Sequence, residues 1–310
     1  TPPTLRLLIE FKDEVIVRRI SERAQRTIAT SAGVQGTGYL TGRTVHLRFV
    51  PAPVHTGVVF VRTDLGKHAH LPAHVSQVTG SQRRTTLGHG PLTVSLVEHV
   101  LAALSGMRID NCFVELDAPE PPGLDGSAQP FVNALCDAGI IVQAARKTIW
   151  SVTRSITVQQ HDATLTLHPT DDPVLRVSYL LDYGDRSPIV RQGCTVDLTP
   201  ESFIQAIAPC RTFVTHAEAV QLRQQGLGTR TKTSDLLIFG PRGPIDNKLR
   251  FADEPARHKI LDLIGDLSLL GADIYGHVVA YRSGHSLNVE LARELHRRIE
   301  HARSNQNAAA

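Results

Sequence analysis

The stretch Arg257-His258-Lys259-Ile260-Leu261-Asp262-Leu263-Ile264-Gly265-Asp266 holds residue types and a spacing suited to metal chemistry. His258 and Asp262 stand four apart, so on a helix they share one face one turn apart, close enough for an imidazole nitrogen and a carboxylate oxygen to hold one ion. Asp266 continues that face. An isolated H-x-x-x-D is more often a solvated helix face than a metal site, so a third ligand is required. His99 offers one. With His258 and Asp262 it makes a set of two histidines and one aspartate that leaves a position open for water, the arrangement of catalytic rather than structural zinc. Such an ion brings the pKa of its water toward neutrality, so that a neighbouring carboxylate can take the proton and a carbonyl can be attacked. Glu98, preceding His99, is the natural base. Taken alone, Glu98-His99 also suits a helix start with a core histidine, and spacing leaves open whether it meets the other helix.

A proton donor is the other requirement. His285, in Ser283-Gly284-His285-Ser286-Leu287-Asn288, follows the last predicted strand and is placed on a loop of the kind that carries function. Asp266 holding its ring would favour the imidazolium, a cation able to stabilise an oxyanion and protonate a leaving amine. The chain has 15 histidines, so a loop histidine by itself carries little weight.

The elements that must position these groups follow from periodicity. Ile260, Leu261, Leu263 and Ile264 recur at helical spacing, and this helix closes at Leu269-Leu270-Gly271 before a strand from Ile274 to Tyr281. His99 opens a helix that Ser95 can cap and Gly106 ends, with Cys112 to Leu116 returning as a strand. Asp125-Gly126-Ser127 turns into a second helix, about 128–138. Ahead of them Val45, Leu47 and Phe49 alternate with Thr44, His46 and Arg48, and Pro51-Ala52-Pro53 separates this strand from Val58 to Val61. In the second half short strands fill 149–197, helices fall at about 201–207 and 216–225, and a strand at 236–239 precedes a hairpin-like 243–251. Ile109 lies three residues beyond Gly106 as Ile274 lies three beyond Gly271, an echo that suggests two copies of one unit. The expected fold is α+β: two similar domains, each a layered β-sheet with helices, the active site between them. The expected borders are an extension of unknown role over 1–24, domains over 25–147 and 148–303, and a tail over 304–310.

Composition narrows the function. At 310 residues, 41% hydrophobic and 20% charged, the chain has the make-up of a soluble two-domain protein, and no apolar run approaches the ~20 residues needed to span a bilayer. Between Leu5 and Ile20 seven charged residues interrupt the run, which excludes the apolar centre of a secretory signal and makes a cytoplasmic address the default. The four cysteines form no C-x-x-C pair, so a metal here would use histidine and carboxylate. A net charge of +3 with scattered Lys and Arg excludes a nucleic-acid domain and suits a phosphate-bearing small substrate. H-E-x-x-H is absent, which disfavours a metalloprotease.

Val97-Glu98-His99 with Ala102-Ala103-Leu104, Gly106 and Ile109-Asp110-Asn111, then Asp125-Gly126-Ser127-Ala128 and Pro130-Phe131, closely resembles the zinc-dependent UDP-3-O-acyl-N-acetylglucosamine deacetylases of lipid A synthesis. So do Gln25-Arg26-Thr27, Ala52-Pro53, Thr56-Gly57, Arg62-Thr63-Asp64-Leu65, Arg211-Thr212-Phe213, Leu249-Arg250-Phe251, His258-Lys259 with Asp262, Gly265-Asp266-Leu267, and Ser283-Gly284-His285. The resemblance runs in order from about Gln25 to Asn288. It implies that His99, His258 and Asp262 hold zinc, that Glu98 is the general base, and that His285 assisted by Asp266 is the acid. It further implies that Thr212 helps bind the oxyanion, Phe213 packs on the sugar and Lys259 reaches the substrate phosphate. The implied reaction is loss of acetate from the glucosamine nitrogen, on two similar α+β domains. The chain departs from the family pattern at Gly38-Tyr39-Leu40-Thr41-Gly42, where Leu40 replaces a histidine, and at Arg83, Arg84, Arg230 and Lys232, where small residues are usual. Two other readings are a zinc amidohydrolase for another acylated amino sugar and a non-catalytic sugar-nucleotide binder. Retained Glu98, His285 and Asp266 argue against the binder, which needs no proton shuttle.

Overall fold

A computed structural model of the chain describes residues 6–7, 16–66 and 68–308. The first elements are β1 (Arg6–Leu7), β2 (Val17–Ile28), β3 (Ala32–Thr37), β4 (Thr44–Pro51), β5 (Val58–Arg62), β6 (His70–Pro72), β7 (Val78–Gly80), β8 (Thr86–His89), β9 (Leu92–Ser95), α1 (Glu98–Gly106), β10 (Cys112–Leu116) and α2 (Gln129–Ala138). There follow β11 (Ile140–Val152), β12 (Ile156–Gln160), β13 (Ala163–His168), β14 (Leu175–Leu181), β15 (Gln192–Asp197), the short α3 (Pro200–Ser202) continued by a π-helical turn over Phe203–Ile207, β16 (Phe213–Thr215) and α4 (His216–Gln224). The chain ends with β17 (Leu237–Gly240), β18 (Gly243–Pro244), α5 (Glu254–Ser268), β19 (Asp273–Tyr281) and α6 (His285–Ala308).

The arrangement is α+β. Five strands in the order β3-β4-β10-β5-β6 form one sheet; a larger sheet runs β1-β12-β13-β19-β11-β2, with β14 and β15 attached through β19; two three-stranded sheets are β7-β8-β9 and β16-β17-β18. The alternation in β4 is borne out, with Val45, Leu47 and Phe49 buried and the residues between them exposed. The two strands on either side of Pro51-Ala52-Pro53 do not pair with each other, because β10 lies between β4 and β5, antiparallel to the first and parallel to the second. α1 and α5 pack on each other; α2 also packs on α1, and α6 and β14 on α5.

Several boundaries differ from the sequence expectation. The predicted extension 1–24 contains residues 17–24 of β2, which pairs antiparallel with β11 from Val17↔Val152 to Ile28↔Ile140, and Arg6–Leu7 pairs with β12. Residues 1–5 and 8–15 of that extension, and 309–310 of the predicted tail, lie outside the described residues. The expected border at Lys147 falls inside β11, and the one at 303 falls inside α6. Ser95 caps nothing: it ends β9 with its hydroxyl 2.9 Å from that of Thr86, while α1 starts after Val97 without a side-chain cap. His285 is not on a loop but is the first residue of the 24-residue α6. The hairpin predicted over 243–251 reduces to β18, whose two residues pair with β17.

Candidate active site

α1 and α5 bring the predicted metal ligands together because Gly265 lets the helices touch. A Cβ built on Gly265 would lie 2.1 Å from the carbonyl oxygen of Glu98, so no larger residue fits without moving one helix. The link from β9 into α1 is only Leu96 and Val97, and Leu96 takes a left-handed φ of 58° that costs about 1 kcal/mol or more for a side chain of this kind. The short turn sets Glu98 and His99 at the helix start.

Donor atoms of His99, His258 and Asp262 all lie within 4.8 Å of one another. Nε2 of His258 is 3.4 Å and Nε2 of His99 is 3.6 Å from the same Asp262 oxygen, Oδ1. The rings of the two histidines meet edge to face at 5.0 Å. Nδ1 of His258 donates to the backbone carbonyl of Cys210 at 3.1 Å, which leaves Nε2 as the lone pair pointing at the cluster. Burial holds that imidazole neutral, pushing it down to about 3 against the pull of Asp262. Burial would raise the Asp262 carboxyl, but Lys259 and His258 hold it well below the usual carboxylate range. Two imidazoles and one carboxylate, converging, with His258 and Asp262 buried and His99 partly so, fit a divalent metal.

The residues predicted to transfer protons stand beside this cluster. Glu98 and Asp266 are buried and His285 nearly so. Nε2 of His285 lies 3.9 Å from Glu98 Oε1 and 3.9 Å from Asp262 Oδ2. Its Nδ1 donates to Asp266 Oδ2 at 2.8 Å, and Asn288 Nδ2 donates to the same oxygen at 2.9 Å. Burial would lower the His285 imidazole, yet the Asp266 and Glu98 carboxylates raise it to about 9. Burial raises the Glu98 carboxyl, against the pull of His285 and His99. A carboxyl raised above its usual range and an imidazole held as a cation stand 3.9 Å apart beside this cluster.

Of the remaining predicted residues, Lys259 lies on α5, and Thr212 and Phe213 come from a third segment. Glu254, fully buried at the start of α5, accepts from Arg211 Nε at 2.8 Å and from the backbone N–H groups of Arg211 and Arg250. That pair fixes Arg211-Thr212-Phe213 against α5. Thr212 is held through its backbone, which donates to Gly126 and accepts from Leu237. Phe213 meets the His258 ring at 6.0 Å and Tyr183 at 6.0 Å. Lys259 donates to Asp262 Oδ2 at 2.6 Å, and that carboxylate raises its pKa although burial opposes it.

Several departing positions are tied to neighbouring backbone, to Glu120 and to α4. Tyr39 donates to the carbonyl of Asp235 at 2.5 Å, and the backbone N–H groups of Leu40 and Thr41 donate to the buried Glu120. Arg230, exposed, donates to the Gly42 carbonyl, and Lys232 is exposed. Arg83, with a left-handed φ of 62°, points its guanidinium to within 3.9 Å of Glu218 on α4. Sequence reasoning passed over Thr85, Asn288, Tyr183 and the Arg211–Glu254 pair. Tyr183 alone carried a usable signal, an aromatic in a run of strand residues just before a turn.

Residues 25–297 match the family described as LpxC: UDP-3-O-acyl N-acetylglycosamine deacetylase. A UDP-3-O-acyl-N-acetylglucosamine deacetylase of Nostoc sp. is 40% identical over 276 residues, 87% of this chain and 98% of the relative. The protein of that description from Chlamydia abortus is 40% identical over 275 residues, covering 88% of this chain and 97% of its own length. A bifunctional LpxC/FabZ enzyme of Chlorobaculum tepidum is 36% identical over 298 residues, 87% of this chain and 64% of its own.

Proposed function

We propose a residue-level mechanism on the premise that this chain belongs to the UDP-3-O-acyl-N-acetylglucosamine deacetylase family. It is an amide hydrolase that removes the acetyl group from the glucosamine nitrogen of an acylated UDP-sugar, releasing acetate, in lipid A biosynthesis. The observation that carries the residue assignments is the convergence of His99, His258 and Asp262 within 4.8 Å. Zinc is the metal we assign, because two imidazoles, one carboxylate and an open position suit a borderline-soft tetrahedral ion. Bound there, it supplies a Lewis acid that polarises the amide carbonyl and acidifies water.

The chain's own residues do the rest. Glu98 takes the proton of the attacking water. Asp266 turns Nδ1–H of His285 toward itself, so Nε2 is the atom that faces the site and delivers a proton to the leaving amine nitrogen. Thr212 assists at the oxyanion and Phe213 packs on the sugar ring. An ammonium has three donors, and Lys259 spends one on Asp262, leaving two for a substrate phosphate oxygen. A cytoplasmic site of action goes with a nucleotide-sugar substrate, and no described helix is long and apolar enough to cross a membrane.

The test is acetate release from the acylated UDP-N-acetylglucosamine by zinc-loaded protein, with equal amounts of acetate and free amine expected. No release from that substrate would overturn the reading. A second reading keeps the chemistry and changes the acylated amino sugar; the cations Arg83, Arg84, Arg230 and Lys232 at positions usually held by small residues favour it. Faster release from another acylated amino sugar in the same assay would select it.

A further inference from the structure

We propose that Thr85 is a positioning residue that sets the base and the acid couple of this site against each other; the inference rests on the roles given above to Glu98, His285 and Asp266. Thr85 is fully buried in the turn between β7 and β8, elements that supply none of the residues assigned so far. Its backbone N–H donates to Glu98 Oε2 at 3.1 Å, and its hydroxyl donates to Asp266 Oδ1 at 2.5 Å. The hydroxyl oxygen also lies 3.4 Å from His285 Nδ1. One residue therefore touches the base, the orienting carboxylate and the ring of the acid.

The geometry gives these contacts a definite consequence. A carboxylate held at one oxygen can still swivel about its terminal torsion, which has broad wells. Thr85 holds Oδ1 of Asp266 while His285 and Asn288 hold Oδ2, so the carboxylate plane is fixed and the imidazole with it. On the other side, the Thr85 N–H takes Oε2 of Glu98 and leaves Oε1 toward His285 Nε2, at 3.9 Å. The turn is itself braced at both ends. Ser81 and Ser286 hydroxyls lie 3.1 Å apart, tying it to the start of α6, and Thr86 and Ser95 hydroxyls lie 2.9 Å apart, tying it to β9 and so to the entry of α1. The base sits on α1 and the acid on α6.

Thr85→Val keeps the shape and the N–H but removes the hydroxyl. With metal content unchanged and the protein folded, kcat is expected to fall about ten- to a hundredfold, the size of effect that a small misplacement of catalytic groups produces, while KM changes less than about twofold. Thr85→Ser, which keeps the hydroxyl, should return kcat to within about threefold of wild type. In a His285→Ala background Thr85→Val should cost almost nothing further, because the couple it orients is gone; a structural role would subtract the same factor in both backgrounds. Wild-type kcat in folded Thr85→Val, or an equal loss in both backgrounds, overturns the inference. If Thr85→Val does not fold, Thr85→Ala takes its place under the same outcomes. A His285→Ala protein as fast as wild type would remove the acid assignment itself, whereas a slow His285→Ala beside a fast Thr85→Val rejects the role of Thr85 alone.

Discussion

The backbone carbonyl of Cys210 selects which nitrogen of His258 can meet a metal. By accepting from Nδ1 it leaves Nε2 toward Asp262, and all four thiols are free. At this scale the sequence was most legible, because i,i+4 spacing of a histidine and an aspartate has a direct geometric meaning, and every predicted ligand lies in the cluster. Thr85 was not legible: a threonine in a turn has no distinctive signature, and its bond to Asp266 joins residues 181 positions apart. The two neighbours Glu98 and His99 should separate by experiment. His99→Ala leaves two ligands and should lose most of its bound metal, whereas Glu98→Ala should keep the metal and lose about 10²- to 10⁴-fold in kcat, the usual contribution of a proton-transfer group. Metal analysis and acetate release on both variants check this; full metal in His99→Ala would mean that a different residue completes the set.

Among the elements, α1 and α5 matter most, and their contact depends on one glycine. Helical periodicity placed α5 because Ile260, Leu261, Leu263 and Ile264 all pack inward, but it treated His258, Asp262 and Asp266 as a polar face, and these are buried too. Packing against α1 covers that face. α6 escaped the sequence reading although Leu287, Leu291, Leu295 and Ile299 recur every four residues and are buried, since the charged residues between them dilute the apolar signal. Its start carries His285, so the missed helix also explains the misplaced loop. Gly265→Ala would set a methyl carbon 2.1 Å from the Glu98 carbonyl oxygen, backbone that cannot give way locally. A loss of about 3 kcal/mol or more in denaturant unfolding, at the upper end of overpacking effects, is expected together with weaker metal retention as the ligands separate. An unfolding midpoint and metal content equal to wild type would show that the helices tolerate the spread.

Over the whole molecule the two halves are joined more closely than the two-copy pattern suggests. β11 runs through the expected border and pairs with β2 on one side and β19 on the other. At its middle Lys147 bonds Asp110, which precedes β10, and Asp273, which opens β19; Arg23 of β2 bonds the same two carboxylates. Each member has two opposite charges beside it, so removing one leaves the others still paired, and the loss should fall below the ~3–5 kcal/mol of a broken fully buried pair. Such a junction cannot be read from local periodicity, because its members lie on four separate segments. The proposed metal cluster likewise draws His99 from α1 and His258 and Asp262 from α5, so on this reading the reaction needs the assembled chain. The most direct test is to strip the wild-type protein with a chelator, remove the chelator, and follow acetate release from the acylated UDP-N-acetylglucosamine as zinc is returned. Release should fall to background in the stripped protein and recover in proportion to zinc up to one ion per chain. Undiminished release from protein shown by metal analysis to be stripped would contradict metal-assisted hydrolysis at this site.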